Sequence, residues 1–189
     1  MDFKPHESPM QHELVSDPWV QENGYLKVRK FIPGGTTRQE SVARGIAAID
    51  PCEIVVVQDG VRPFTSARVI AETVETARRV GAANVVVRAL DTIVESRDGL
   101  MVAAPDRNHL YQGQAPQAFR HDLLLEAHRR AAADGVREAS DDAQLVLRMG
   151  GQVGVVEGSY ANFKITTYED FLFASSLLEH RRAEDGDGW

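Results

Sequence analysis

Asp59 and Arg62 stand three residues apart where an apolar run ends, in the stretch "IVVVQDGVRPF" over residues 54–64. An acid just past a strand end can bind a metal, accept a hydrogen bond from a ribose hydroxyl or orient a substrate hydroxyl. Arg62 can contact phosphate or pair with Asp59, and Pro63 stiffens the exit. An Asp–Arg pair that merely closes a turn fits the same spacing, and if exposed it is worth little. Spacing alone leaves both readings open.

Five other stretches carry groups capable of chemistry. In "PGGTTRQESVARGI", residues 33–46, Gly34 and Gly35 let backbone approach a ligand closely, while Thr36, Thr37 and Ser41 place hydroxyls at a helix start. Free N–H groups and the helix dipole favour an anion there, although a strand-to-helix turn with a hydroxyl cap explains the pattern equally well. "ALDTIVES" puts Thr92 after the Val85–Val87 run, and "PDRNHLYQGQAPQAF" joins Arg107 to a polar bend at Gln112-Gly113-Gln114. "EASDDAQLVLRMGG" offers Ser140 as an N-cap with Asp141 and Asp142 in the first helical turn, where the dipole alone accounts for acids. In "YANFKITTYED", Lys164 falls in a short strand expected over 163–165. Alternation favours a solvated edge lysine over an anion ligand in a cleft.

The histidines show no ligand-like spacing, and one cysteine, Cys52, excludes a thiolate zinc site. No G-x-S-x-G elbow and no G-x-x-x-x-G-K-[ST] phosphate loop occurs. No metal held by the protein's own side chains is expected.

The elements around these groups alternate. Strands are expected at 25–32, 54–57, 82–87, 152–156 and 163–165, and helices at 39–49, 68–80, 121–133, 141–149 and from about 168, with Thr167 as N-cap and Asp170 as its acidic partner. Arg97-Asp98-Gly99 reads as the turn of a hairpin arm within about 89–115. Apolar runs without polar alternation fit a sheet covered on both faces. Such an order implies an α/β protein with a mostly parallel sheet, which binds ligands at the carboxyl ends of its strands. Residues 1–24 read as a poorly structured segment, 25–180 as the domain and 181–189 as a frayed tail.

The chain has 189 residues and a formal charge of −7, enough for one domain and unlike a protein gripping nucleic acid through a broad basic face. A single cysteine, no signal-like N-terminus and no long apolar run point to a cytoplasmic protein with no membrane partner.

Taken in chain order, "GGTTRQESV", "QDGVRPF", "DTIVES", "R-x-x-x-Y-Q-G-Q-A-P-Q-A-F", "SDDA" and "NFKITTYEDF" resemble the cytidylyltransferases that load a sugar-alcohol phosphate onto CMP. That group includes 2-C-methyl-D-erythritol 4-phosphate cytidylyltransferase and ribitol-5-phosphate cytidylyltransferase. The resemblance covers about residues 25–180 and implies a Rossmann-like nucleotidyltransferase three-layer sandwich with a protruding hairpin arm. It implies CTP and a polyol phosphate as substrates, Mg2+ bridging the CTP phosphates, pyrophosphate release, and a homodimer formed through the arm. "DTIVES" with "YQGQAPQAF" looks closer to the ribitol branch, since the erythritol branch more often carries lysine at the position of Val94.

By the same resemblance Gly35, Thr36 and Ser41 lie against the cytosine, and Asp59 and Gly60 sit by the ribose and reacting phosphates. Lys164, Asp59 and Arg62 are the catalytic set, with Lys164 stabilising charge at the α-phosphate. Thr92, Arg107 and Ser140 hold the polyol phosphate. The family also opens with a strand and a glycine-rich basic loop around the triphosphate, and nothing here matches them. The expectation is a shortened version, or one whose start lies upstream, with weak or undetectable CTP binding as it stands. A non-catalytic homologue serving as a dimerising module is the alternative. Gln58, Gly60, Ala115 and Ser140 replace the family's usual His, Ala, Thr and Thr.

Overall fold

The computed structural model describes residues 22, 25 and 27–185. In chain order the elements are α1 (Arg38–Ala48), β1 (Ile54–Val57), α2 (Ala67–Val80), β2 (Ala82–Arg88), β3 (Glu95–Arg97), β4 (Leu100–Ala103), β5 (Tyr111–Arg120), α3 (His121–Ala133), α4 (Asp142–Arg148), β6 (Gly154–Glu157) and α5 (Tyr168–Asp185), with a 3-10 turn at Arg107–His109.

The main sheet has the order β1-β5-β2-β6. β2 pairs with β6 in parallel, while β5 runs antiparallel to both β1 and β2. Three strands therefore share one direction, as expected, and the inserted β5 opposes them. That strand corrects the sequence reading, in which Gln112-Gly113-Gln114 is a bend; these residues are the polar first part of a ten-residue strand.

Alternation along the strands builds two cores. Phe119, Ala82, Val55 and Val57 face α1, α3 and α4 through Ile46, Leu124, Ala127, Leu145 and Val146. On the other face Ala118, Ala83, Val85, Val156 and Ile54 meet Val69 and Ala77 of α2. The result is three layers, the arrangement in which strands lose their polar alternation. Ser66 caps α2 by accepting from Val69 N–H, and Gly81 ends the helix at φ 105, donating to the Ala77 carbonyl. A left-handed residue at that place favours glycine.

The arm forms as expected: β3 and β4 pair across Asp98 and Gly99, both at positive φ (51 and 78). Two expected strands do not form. Residues 27–32 lie outside any ladder, with a turn closing from Val28 N–H to the Tyr25 carbonyl. Phe163–Ile165 is likewise not a strand; one backbone bond, Ile165 N–H to the Val61 carbonyl, ties it to the turn after β1. Their apolar residues found no neighbouring backbone to complete a ladder, and β-propensity does not supply one. At the far end, α5 continues to Asp185, into the stretch expected to fray from Arg181. Of the segment 1–24, residues 1–21, 23 and 24 lie outside the described residues.

Candidate functional site

β1 delivers Asp59 and Arg62 past its carboxyl end, where Arg62 N–H donates to the Asp59 carbonyl and closes a turn. The side chains pair as well: Arg62 Nε donates to Asp59 Oδ2 over 3.2 Å. Both are mostly withdrawn from solvent, with side-chain exposures of 11% and 21%. Lys164 Nζ lies 3.9 Å from the same carboxylate oxygen while its side chain stays 46% exposed. One acid thus sits between two cations from distant parts of the chain. Asp59 and Arg62 do close a turn, and Lys164, expected in a strand at a solvated edge, is neither in a strand nor isolated in solvent.

Neighbouring groups hold this cluster. Gln58 Nε2 donates towards the Arg62 carbonyl at 3.1 Å and Thr65 Oγ1 at 3.2 Å. Arg62 Nη1 donates to the Asn162 carbonyl over 2.8 Å. Phe163 packs its ring against Phe64 and Phe173, fixing the Lys164 loop between the β1 exit and α5. Gly60 is exposed, and a Cβ there would meet nothing within 4 Å, so the position needs no glycine for space.

The glycine-rich turn forms the start of α1. Thr37 is the N-cap, accepting from Glu40 N–H, and Gly35 N–H donates to Ser41 Oγ over 2.9 Å. Glu40 reaches back to accept from both Thr36 N–H (2.7 Å) and Thr36 Oγ1 (2.8 Å). The Thr36 bonds, aided by the Arg44 guanidinium, hold the Glu40 carboxyl down at about 2. A carboxylate of the chain itself therefore occupies this helix start, alongside the hydroxyl cap that was the alternative reading of the turn. A Cβ on Gly35 would fall 2.4 Å from Glu40 side-chain carbons, so glycine is what lets Glu40 close over the turn.

α4 brings a second set. Its N-cap is Asp141, which accepts from Gln144 N–H; Ser140, expected as the cap, instead accepts from Gln144 Nε2 at 2.8 Å. Asp142 is 1% exposed, with Arg38 Nη1 at 2.9 Å from one oxygen and His128 Nε2 at 3.0 Å from the other. Its N–H donates to Gln117 Oε1 over 3.1 Å. This acid ties α1, α3, α4 and β5 together, which a role in the first helical turn alone does not explain. Against the same strand, a methyl group on Gly113 would lie 3.6 Å from Asn84 Nδ2 and 3.7 Å from Asp141 Oδ2.

Thr92 and Arg107 belong to the arm. Thr92 is exposed, and Arg107 Nη1 donates to the Leu90 carbonyl over 2.8 Å. Among the described residues neither bonds to Asp59, Arg62 or Lys164. The structure therefore gathers Asp59, Arg62 and Lys164, places Gly35, Thr36 and Ser41 on one turn, and leaves Thr92 and Arg107 apart on the arm. Residue patterns alone did not single out Asn162, Gln117, Arg38 or Asp142 as organisers. For Asn162 the available signal was its place two residues before Lys164; for Gln117, a polar residue inside an otherwise apolar half-strand.

The acid and its two cations lie past the carboxyl end of β1, the end at which open α/β sheets bind their ligands. The sequence model described as "IspD: 2-C-methyl-D-erythritol 4-phosphate cytidylyltransferase" matches residues 4–180, reaching ahead of the span over which the motifs were recognised. A 2-C-methyl-D-erythritol 4-phosphate cytidylyltransferase of Geotalea uraniireducens is 42% identical over 168 residues, covering 87% of this chain and 72% of the relative. A bifunctional enzyme IspD/IspF of Desulforudis audaxviator is 42% identical over 172 residues, 90% of this chain but 43% of that relative's length. The crystal structure of 2-C-methyl-D-erythritol 4-phosphate cytidylyltransferase from Thermus thermophilus superposes with a TM-score of 0.71 at 41% identity, covering 77% of this chain and 71% of that one.

The fold and these relatives together define a nucleotidyltransferase of the Rossmann-like class. The chain belongs to the 2-C-methyl-D-erythritol 4-phosphate cytidylyltransferase family. These relatives carry the erythritol name, so the preference for the ribitol branch drawn from Val94 and the "YQGQAPQAF" stretch finds no support in them. No helix among the described residues is long and apolar enough to cross a membrane.

Proposed function

We propose that the protein transfers CMP from CTP to 2-C-methyl-D-erythritol 4-phosphate, releasing pyrophosphate. The observation that carries this reading is the convergence of Arg62 and Lys164 on Asp59 at the end of β1. The substrate phosphate attacks the α-phosphorus of CTP; a P–O bond forms on one side while the bond to the β-phosphate oxygen breaks on the other. No covalent nucleophile is required, only alignment and neutralised charge. Lys164, half-exposed and tethered only loosely to Asp59, is free to move onto the α-phosphate oxygens. Arg62 is held more firmly and supplies fixed positive charge, while Asp59 orients it and accepts from a ribose hydroxyl. Ser140 keeps its hydroxyl proton available for the polyol phosphate, since its oxygen acts as acceptor towards Gln144.

Magnesium in this reading arrives on the CTP phosphates and neutralises their charge. Among the described residues no cluster of three or more His, Cys, Asp and Glu could cage a metal, and Asp59 faces two cations, so the side chains fit an ion held chiefly by the nucleotide. Thr92 and Arg107, which sit on the arm, fit a substrate contact made across a homodimer. The compartment proposed is the cytoplasm.

The test is pyrophosphate release from CTP and magnesium with each polyol phosphate in turn. Turnover with 2-C-methyl-D-erythritol 4-phosphate at a kcat/KM above that for ribitol 5-phosphate is expected. Preference for ribitol 5-phosphate, or turnover with neither, overturns the proposal.

A further inference from the structure

We infer that Asn162 is a positioning residue for the transfer site, acting through the Arg62 guanidinium without touching substrate. This rests on reading Asp59, Arg62 and Lys164 as that site. Asn162 is polar yet 2% exposed, and all four of its polar groups are engaged. Its Nδ2 donates to the Ala115 carbonyl over 2.7 Å, and its Oδ1 accepts from Thr65 Oγ1 over 2.9 Å. Its backbone N–H donates to the Ser159 carbonyl, and its carbonyl accepts from Arg62 Nη1 at 2.8 Å. The Thr65 hydroxyl has one proton and two acceptors within reach, Asn162 Oδ1 at 2.9 Å and the Arg62 carbonyl at 3.3 Å, and the nearer takes it.

These bonds join three separate pieces: β5 at Ala115, the turn after β1 at Thr65, and the loop that carries Lys164 two residues on. The amide side chain fixes the peptide whose carbonyl receives Arg62. Without that carbonyl, Asp59 alone would hold the guanidinium, through the single Nε contact at 3.2 Å. An amide suits the place for a chemical reason. It donates to Ala115 and accepts from Thr65 at once, whereas an ionised carboxylate of the same shape can only accept. Asn162→Asp, although isosteric, would set a negative oxygen against the Ala115 carbonyl.

The experiment combines Asn162→Asp and Arg62→Ala in a double-mutant cycle on pyrophosphate release. Asn162→Asp should lower kcat by about tenfold or more alone, yet by less than about twofold when Arg62 is already alanine, because residues acting as a unit are not additive. Losses that multiply in the double variant overturn the inference, since a purely structural role adds to any other defect. A second readout needs no turnover: solvent exchange of the Arg62 Nε proton, followed by NMR, should quicken about tenfold in Asn162→Asp, as expected when local opening is eased. Unchanged exchange counts against positioning. Should Asn162→Asp not fold, Thr65→Val removes one bond of the clamp and takes its place in both measurements with the same opposing outcomes. A wild-type protein inactive on either polyol phosphate would remove the transfer reading, while the Arg62 exchange would still judge the positioning role.

Discussion

Lys164 shows how a residue with an unremarkable local pattern becomes a site candidate through its neighbour. A half-exposed lysine in a loop is ordinary; one whose ammonium lies 3.9 Å from a carboxylate already paired with arginine adds a second positive charge at the site proposed for the transfer. Losing one charge-assisted contact to phosphate costs roughly 1.5–3 kcal/mol, about one to two decades in rate. Lys164→Ala is therefore expected to lower kcat/KM by about ten- to a hundredfold. Its thermal midpoint should stay near the wild-type value, since the exposed side chain buries little. Steady-state kinetics beside a melting curve check this, and unchanged kcat/KM would take Lys164 out of the site.

At the scale of elements, helix starts and sheet layers make different demands. The start of α5 is fixed by Asp170, which accepts from Thr166 N–H, Thr167 N–H and the Thr166 hydroxyl, while Thr167 Oγ1 accepts from Asp170 N–H in return. The backbone N–H groups of Thr166 and Thr167 are the main cause of a carboxyl lowered from 3.8 to about 2. Because the folded value lies below the ordinary one, this contribution is present above pH 4 and fades as pH falls towards 2. Asp170→Asn should lower the thermal midpoint at pH 7, and the gap from wild type should narrow steadily on acidification below pH 4. A gap that persists at pH 2 would show that the charge is not what holds the cap. In the sheet, Phe119 is 0% exposed between β1 and the α3–α4 layer. Phe119→Ala should cost about 3–5 kcal/mol, read as a lower denaturant midpoint at unchanged slope.

For the whole molecule the arm is the feature that a lone chain leaves unexplained. Leu100, Met101 and Val102 are 71%, 63% and 51% exposed on β4, and Leu90, Ile93 and Val94 add apolar surface at its base. An apolar edge of this kind invites pairing with another chain. If the arm of one subunit completes the site of the other, as the dimer reading requires, Arg107→Ala and Lys164→Ala lie in different subunits of each site. Mixed after dissociation, the two poor variants should regain about a quarter of wild-type activity, since half of random dimers are mixed and each of those holds one intact site. Activity that stays at the level of the separate variants would show that each site is built within one subunit.

Much of this was legible before any coordinates. Local pattern determined α2, whose apolar stripe marks 68–80 and which the structure starts one residue earlier, and α3 over 121–133, which the structure reproduces residue for residue. The Arg97-Asp98-Gly99 turn announced the arm, and the spaced motifs gave the family, because backbone conformation, capping and helix periodicity are set by residues a few positions apart. Partnership was decided elsewhere. The polar, proline-bearing stretch 111–120 became a central strand because β1 and β2 offered it backbone on both sides, while 27–32 and 163–165, better strand formers by composition, met no ladder. The same holds for the site: Asn162 meets Arg62 100 residues away, and Asp142 joins three helices to a strand. A hydrogen bond across such a separation depends on the packed fold that brings its ends together, and no local propensity encodes it.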